Sequence, residues 1–121
     1  MNTIEGLKRT HRCGEVSEKN IGEKITVMGW VQKLRDLGNL IFVDLRDRTG
    51  LLQLVMDVND KEIYALGQTL HQEYVIAAVG EVVHRAEGMV NENMRTGAIE
   101  VHVTELRVLS EAETPPFVVS D

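Results

Sequence analysis

This chain predicts an all-β fold: a five-stranded barrel with one helix between its third and fourth strands and a short helical turn ahead of the first. Three observations carry that expectation. Five segments read as strands, and in four of them, 24–35, 40–46, 51–57 and 98–109, inward and outward residues follow the period of two that a half-buried strand requires. A single stretch, 58–72, changes to a helical period. Two of the strand segments hold a glycine in mid-run, Gly29 and Gly80, where a strand coiling round a barrel bends or lets another backbone approach.

The elements follow in order. Residues 1–13 are polar and without a clear period; a strand, an arm or a disordered lead would each fit. Residues 15–22 read as a helical turn stopped by Gly22. In 24–35, Ile25, Val27, Gly29 and Val31 point one way and Thr26, Met28, Trp30 and Gln32 the other. Residues 36–39 form a turn. In 40–46, Ile41, Val43 and Leu45 face the core, with Leu40, Phe42, Asp44 and Arg46 opposite. A hairpin turn at 47–50 leads into 51–57, where Leu52, Leu54 and Met56 are inward and Leu51, Gln53 and Val55 outward. The helical stripe of 58–72 is Ile63, Leu66, Leu70 and Tyr74, with Asn59 or Asp60 as N-cap. Residues 74–85 are a long strand, 86–97 an irregular loop. In 98–109, Ile99, Val101 and Val103 are inward and Glu100, His102 and Thr104 outward. Pro115 and Pro116 then end regular structure.

Three strands, a helix and two strands is the order of an OB-fold, a Greek-key barrel that often binds oligonucleotides across strands two and three. The expected division is a lead at 1–14, the barrel at 15–110 and the start of a linker at 111–121. On the predicted outer face of strands two and three, Phe42 and Gln53 come together, flanked by Arg35, Arg46 and Arg48. A ring to stack on, an amide to read a base edge and cations for phosphate suit an unpaired nucleotide. The bland alternative pairs these arginines with Asp36, Asp44 and Asp47, as surface ion pairs of about 0–1 kcal/mol. For Arg46 and Arg48, turn or barrel structure is the expected role, and for Trp30 packing.

Composition narrows the classes. At 121 residues, 43% hydrophobic and 26% charged, the chain fits one soluble domain. No apolar run approaches a membrane span, and the first residues lack the apolar region of a signal peptide. A single cysteine, Cys13, rules out an internal disulfide and fits a reducing, cytoplasmic setting. A net charge of -6 argues against an indiscriminate nucleic-acid binder, which needs a basic excess. His11 and Cys13 alone do not make a metal site. No nucleophile triad, Gly-rich phosphate loop or close carboxylate pair stands out.

Several runs resemble one family. They are Gly-Trp-Val at 29–31, Arg-Asp-Leu-Gly at 35–38, Ile-Phe-Val-Asp-Leu-Arg-Asp-Arg-Thr-Gly at 41–50 and Gln53. The opening at 9–14, the run at 91–101 and the exit at 112–117 are also similar. Together they resemble the N-terminal anticodon-binding domain of bacterial-type aspartyl-tRNA synthetases, over nearly the whole chain. The resemblance implies a cytoplasmic, homodimeric class II ligase that uses ATP and magnesium to join aspartate to tRNA-Asp. None of that family's catalytic motifs is in this chain, so it reads as the recognition domain, with no cofactor of its own and no membrane partner. Carried over, Phe42 would stack on the central uridine of the anticodon and Gln53 would bond its edge. Arg35 would contact an anticodon base or nearby backbone, and Asn91 and Glu100 would help recognise the wobble guanine. Met89 stands where the family often has Asn, and Leu34 where it often has Arg. Other readings are a free-standing OB-fold that binds single strands, a protein-interaction adaptor, or a sister synthetase for asparagine or lysine. The runs at 35–38 and 114–117 point away from the last.

Overall fold

The computed structural model describes residues 8–111; the expected exit run at 112–117, with Pro115 and Pro116, the expected linker at 111–121 apart from Glu111, and the first half of the lead lie outside the described residues. Five strands follow in order: β1 (Lys24–Asp36), β2 (Leu40–Asp47), β3 (Gly50–Asp57), β4 (Val75–His84) and β5 (Ile99–Ser110). They close into a barrel in the order β1-β2-β3-β5-β4, every pair antiparallel except β3 with β5. That is the predicted OB-fold. Apolar residues at every second position fill the interior: Val27, Val43, Leu45, Leu52, Leu54 and Val101 are wholly buried.

Both mid-strand glycines mark places where backbones nearly touch. A Cβ on Gly29 would stand 2.3 Å from the Arg46 carbonyl oxygen, and one on Gly80 2.3 Å from that of His102. Gly80 also sits beside a register shift against β5, where Thr104 is the extra residue.

A second bulge decides the chemistry of the outer face. β1 pairs with β2 as Val31 with Leu45 and then Lys33 with Asp44, which leaves Gln32 unpaired. Simple alternation from the buried Val31 would turn Lys33 and Arg35 inward. The extra residue reverses the phase. Leu34 faces the core, while Lys33 and Arg35 stay exposed opposite Asp44 and Phe42. Gln32 is held in place: its carbonyl accepts from Gln72 Nε2 at 3.1 Å, and its side-chain oxygen accepts from Arg46 Nε.

The helix is shorter than its apolar period implies. α1 spans Lys61–Gly67 rather than 58–72, capped by Asp60, whose Oδ1 accepts from the Ile63 amide at 3.2 Å. Beyond Gly67 the chain tightens, with Thr69 N bonding Leu66 O and Leu70 N bonding Gly67 O. Leu66 is 39% exposed and not part of the buried stripe. Tyr64 and Gly67 take its place beside Ile63, because a Cβ at Gly67 would already lie 3.0 Å from Ile41 Cδ1. The N-terminal helical turn expected at 15–22 is two 3-10 turns, Cys13–Glu15 and Glu18–Asn20. Ser17 accepts from Lys19 N to start the second, and Gly22 follows it at φ +91.

The outer side of β1 is drier than alternation predicts. Thr26 is buried because Thr10 of the lead pairs with it, Thr10 N donating to Thr26 O at 2.9 Å. Met28 joins Val75, Ala77 and Leu109 in a second small cluster, and Trp30 packs against it, the expected role of that ring.

Candidate nucleic-acid interface

β2 and β3 pair without interruption, Phe42 opposite Val55 and Asp44 opposite Gln53. β1 adds Arg35 beside Phe42 and Lys33 beside Asp44. β5 adds His102 beside Val55. Two rows therefore cross the outer face. One runs Arg35, Phe42, Val55, His102. The other runs Lys33, Asp44, Gln53 and ends on Glu100, which Gln53 meets by a hydrogen bond.

Phe42 lies outside the barrel and is half-buried, between core neighbours Ile41 and Val43 that point inward. The guanidinium of Arg35 sits over the ring, 5.3 Å from its centroid. A cation on an aromatic face that also carries phosphate-binding charge is an arrangement for stacking a base beside its backbone.

Gln53 is on the predicted face but is only 6% exposed. β3 is flanked by β2 and β5, so its outward side chains are shaded by neighbours on both sides; Val55 is covered likewise. The Gln53 Nε2 donates to Glu100 Oε1 at 3.0 Å, and the other oxygen of Glu100 lies 2.8 Å from His102 Nε2. That bond raises the pKa of His102 above its ordinary value; partial burial opposes it, and the charges of Glu100, Asp57 and Glu81 add to the rise.

Two loops border the face. The β1–β2 turn is shaped by Asp36, whose Oδ1 accepts from Gly38 N at 2.9 Å and from the Tyr64 hydroxyl at 2.8 Å. Both bonds hold its carboxyl below the usual range, the Gly38 amide first. The 86–97 loop leaves β4 and returns at Ile99, next to Glu100. Asn91 belongs to this loop. It is exposed, and its side-chain oxygen accepts from Asn93 N at 3.0 Å, so it is drawn into the loop's own turn and not into the Gln53 row. Asn91 N and Gly97 O bond at 3.0 Å across the loop's neck, and Thr96 Oγ1 ties it to Leu51 O.

Sequence reasoning missed Arg85. It is 6% exposed, its Nε donates to Ile99 O at 3.0 Å, and Nη2 approaches Met94 sulfur. Burial lowers its pKa, while Glu100 and Asp44 oppose that shift and Arg35 adds to it. Arg85 therefore places a fixed positive charge under the edge of the face. A lone arginine closing an apolar strand was the only signal available.

The arginine–aspartate pairing weighed as an alternative is not what Asp47 and Asp36 do. Asp47 is 3% exposed and accepts from Cys13 N at 2.7 Å, Thr49 N at 2.8 Å and Thr49 Oγ1 at 2.5 Å. It joins the lead to the β2–β3 turn. Burial pushes its carboxyl up, but the bonds from Thr49 and the Cys13 amide outweigh that and hold it below the usual range. Burial, and then Asp47, push the Cys13 thiol well up. His11 hydrogen-bonds Thr10 and Asn20. Among the described residues no cluster of His, Cys, Asp or Glu could hold a metal ion, and no helix is long and apolar enough to cross a membrane.

A Greek-key barrel that sets a ring and an amide on strands two and three, with cations beside them on strand one, is a nucleic-acid-binding module. The sequence model of the tRNA anti-codon family, an OB-fold nucleic acid binding domain, matches residues 25–109, and the chain belongs to that family. It is 54% identical over 119 residues to "Aspartate--tRNA ligase" of Ruminiclostridium cellulolyticum, covering 98% of this chain and 20% of that protein. It is 54% identical over 114 residues to "Aspartate--tRNA(Asp/Asn) ligase" of Bacillus subtilis, covering 93% of this chain and 19% of that one. The solved aspartyl tRNA synthetase of Entamoeba histolytica superposes with a TM-score of 0.77 at 27% identity, over 91% of this chain and 23% of that one. The chain thus spans about a fifth of the length of the curated relatives it matches, 20% and 19% in these two.

Proposed function

We propose that this chain is the anticodon-recognition module of an aspartate–tRNA ligase. The observation that carries the reading is the outward Phe42, backed by Arg35 and set one row from the Gln53 amide. Phe42 stacks on the central uridine of the tRNA-Asp anticodon, and Gln53 bonds its edge. Arg35 contacts a base or the adjoining phosphate. Glu100 and, from the 86–97 loop, Asn91 meet the wobble guanine. The barrel occupies 15–110, with a lead before it and a linker from 111. The enzyme it serves is cytoplasmic and homodimeric, and the ATP and magnesium for joining aspartate to tRNA act in a catalytic domain outside this chain. A net charge of -6 supports selective over general binding, because backbone attraction alone would be weak.

The test is a titration of this chain with an RNA hairpin whose loop carries the triplet GUC, against unrelated single-stranded RNA at the same salt. Preference for the hairpin is the expected result. Equal affinity for every sequence would instead favour the free-standing single-strand binder.

A further inference from the structure

Gln53, Glu100 and His102 form one hydrogen-bonded line on the outer face of β3 and β5. An ionised carboxylate can only accept. Gln53 therefore turns its NH2 toward Glu100, and His102 carries a proton on Nε2. This settles which way the amide of Gln53 points, and that direction has a coding meaning. A side-chain amide meeting a pyrimidine edge with both groups needs its oxygen at ring N3–H and its nitrogen at O4 to fit uracil. Cytosine offers the reverse, an acceptor at N3 and a donor at N4. The same glutamine, rotated end for end, would fit cytosine as well as it fits uracil.

We propose that His102 is a specificity-determining positioning residue: by holding Glu100 it keeps the Gln53 amide in the orientation that accepts uracil and rejects cytosine. The proposal rests on the reading of this face as an anticodon platform. His102 is in the right place to act on Glu100 without packing the core: its side chain is 50% exposed, whereas that of Glu100 is 15% exposed. It stands in the Phe42 row, two strands away, so it borders the stacked base and is not beneath it.

The groups around the imidazole favour its charged form. Glu100 lies beside it on β5, Asp57 faces it from β3 and Glu81 from β4, while Arg85 faces Glu100 from the end of β4. The charged ring grips Glu100 more strongly than the neutral one, which must also select the Nε2–H tautomer. With the pKa raised in the folded chain, the grip is complete below the ordinary histidine value and weakens as pH rises through the raised one.

The experiment measures the ratio of affinities for two RNA hairpins, one with the loop triplet GUC and one with GCC. It uses the parent chain, His102→Leu and His102→Gln, at about pH 6 and about pH 8.5, either side of the histidine range. In the parent the ratio falls by about five-fold from the lower to the higher pH, because the neutral ring loses the ion pair with Glu100 and keeps only a hydrogen bond to it. In His102→Leu the ratio is already reduced by about that factor at the lower pH and no longer changes with pH. His102→Gln keeps a donor that cannot titrate, so its ratio exceeds that of the leucine variant and is flat with pH. A parent that prefers GUC, with an unchanged ratio in His102→Leu, overturns this inference and leaves the anticodon reading standing. A parent that binds both hairpins equally overturns both. The pH profile of the parent tests the proposal without any variant.

Discussion

Phe42→Ala is the sharpest perturbation of the proposed face. The ring sits outside the barrel and half-buried, so its removal opens no cavity in the core. A base stacked on an aromatic side chain contributes roughly 1–3 kcal/mol. The free protein already uses the ring, because Arg35 lies over it at 5.3 Å. At an exposed site that contact is worth about 0.5–1 kcal/mol, and a base that takes its place surrenders it. The net loss expected from Phe42→Ala is therefore about 0.5–2 kcal/mol, or roughly 2- to 30-fold in Kd. The assay is a titration with the GUC hairpin at fixed salt, with thermal unfolding followed in parallel. The double variant with Arg35→Ala should lose less than the sum of the two single losses, since the two side chains share one ring face. A cooperatively folded Phe42→Ala that binds with the parent's Kd would refute the stacking account.

Three further outcomes concern the scaffold. Asp47→Ala strands the buried Cys13 amide and frees the β2–β3 turn, and should lower unfolding free energy by about 3 kcal/mol in urea titrations. Because the folded carboxyl is held below its usual range, its contribution is present above about pH 4 and fades as pH falls through the folded value; the gap between parent and variant should close there. Gly29→Ala drives a Cβ to 2.3 Å from a backbone oxygen and should cost at least about 2 kcal/mol; wild-type stability would show that β1 and β2 do not approach as described. Ile63→Ala should cost about 2–5 kcal/mol and Leu66→Ala under about 1 kcal/mol. The opposite ranking would restore the longer helical stripe.

β2 and β5 were the most legible strands, because there alternation reports burial directly. The inward sets of β2 and β5 are as their period implies, and the same period put Phe42 outside. Gly29 and Gly80 were legible because few other reasons exist for glycine in mid-strand. What stayed hidden depends on neighbours distant in sequence. Gln53 has the right face but is shaded by β5, which lies beside β3 only because the barrel closes. Asp47 looked like a partner for surface arginines; its buried role needs the Cys13 amide, delivered by the lead. Arg85 lies under the edge of the proposed face because the 86–97 loop returns against it, bringing Met94 sulfur to its Nη2 and Ile99 O to its Nε. Leu66 and Tyr64 both suit a helical stripe, and the glycine at 67 decided between them by letting the helix lie close to Ile41 and Met56. The bulge at Gln32 leaves only a faint mark, two polar residues in succession between Val31 and Leu34, and the β2 register is what shows it to be an unpaired residue and not the end of the strand.

That bulge has a lasting consequence for how the molecule tolerates change. β4 grips only Lys24–Trp30 of β1, whereas Lys33 and Arg35 flank β2 beyond the unpaired residue. One strand thus works as two separately phased halves, a seam and a working edge. Side chains on the edge can be exchanged to suit a different ligand without loosening the seam. Removing the single residue between them would turn two cations into the interior together.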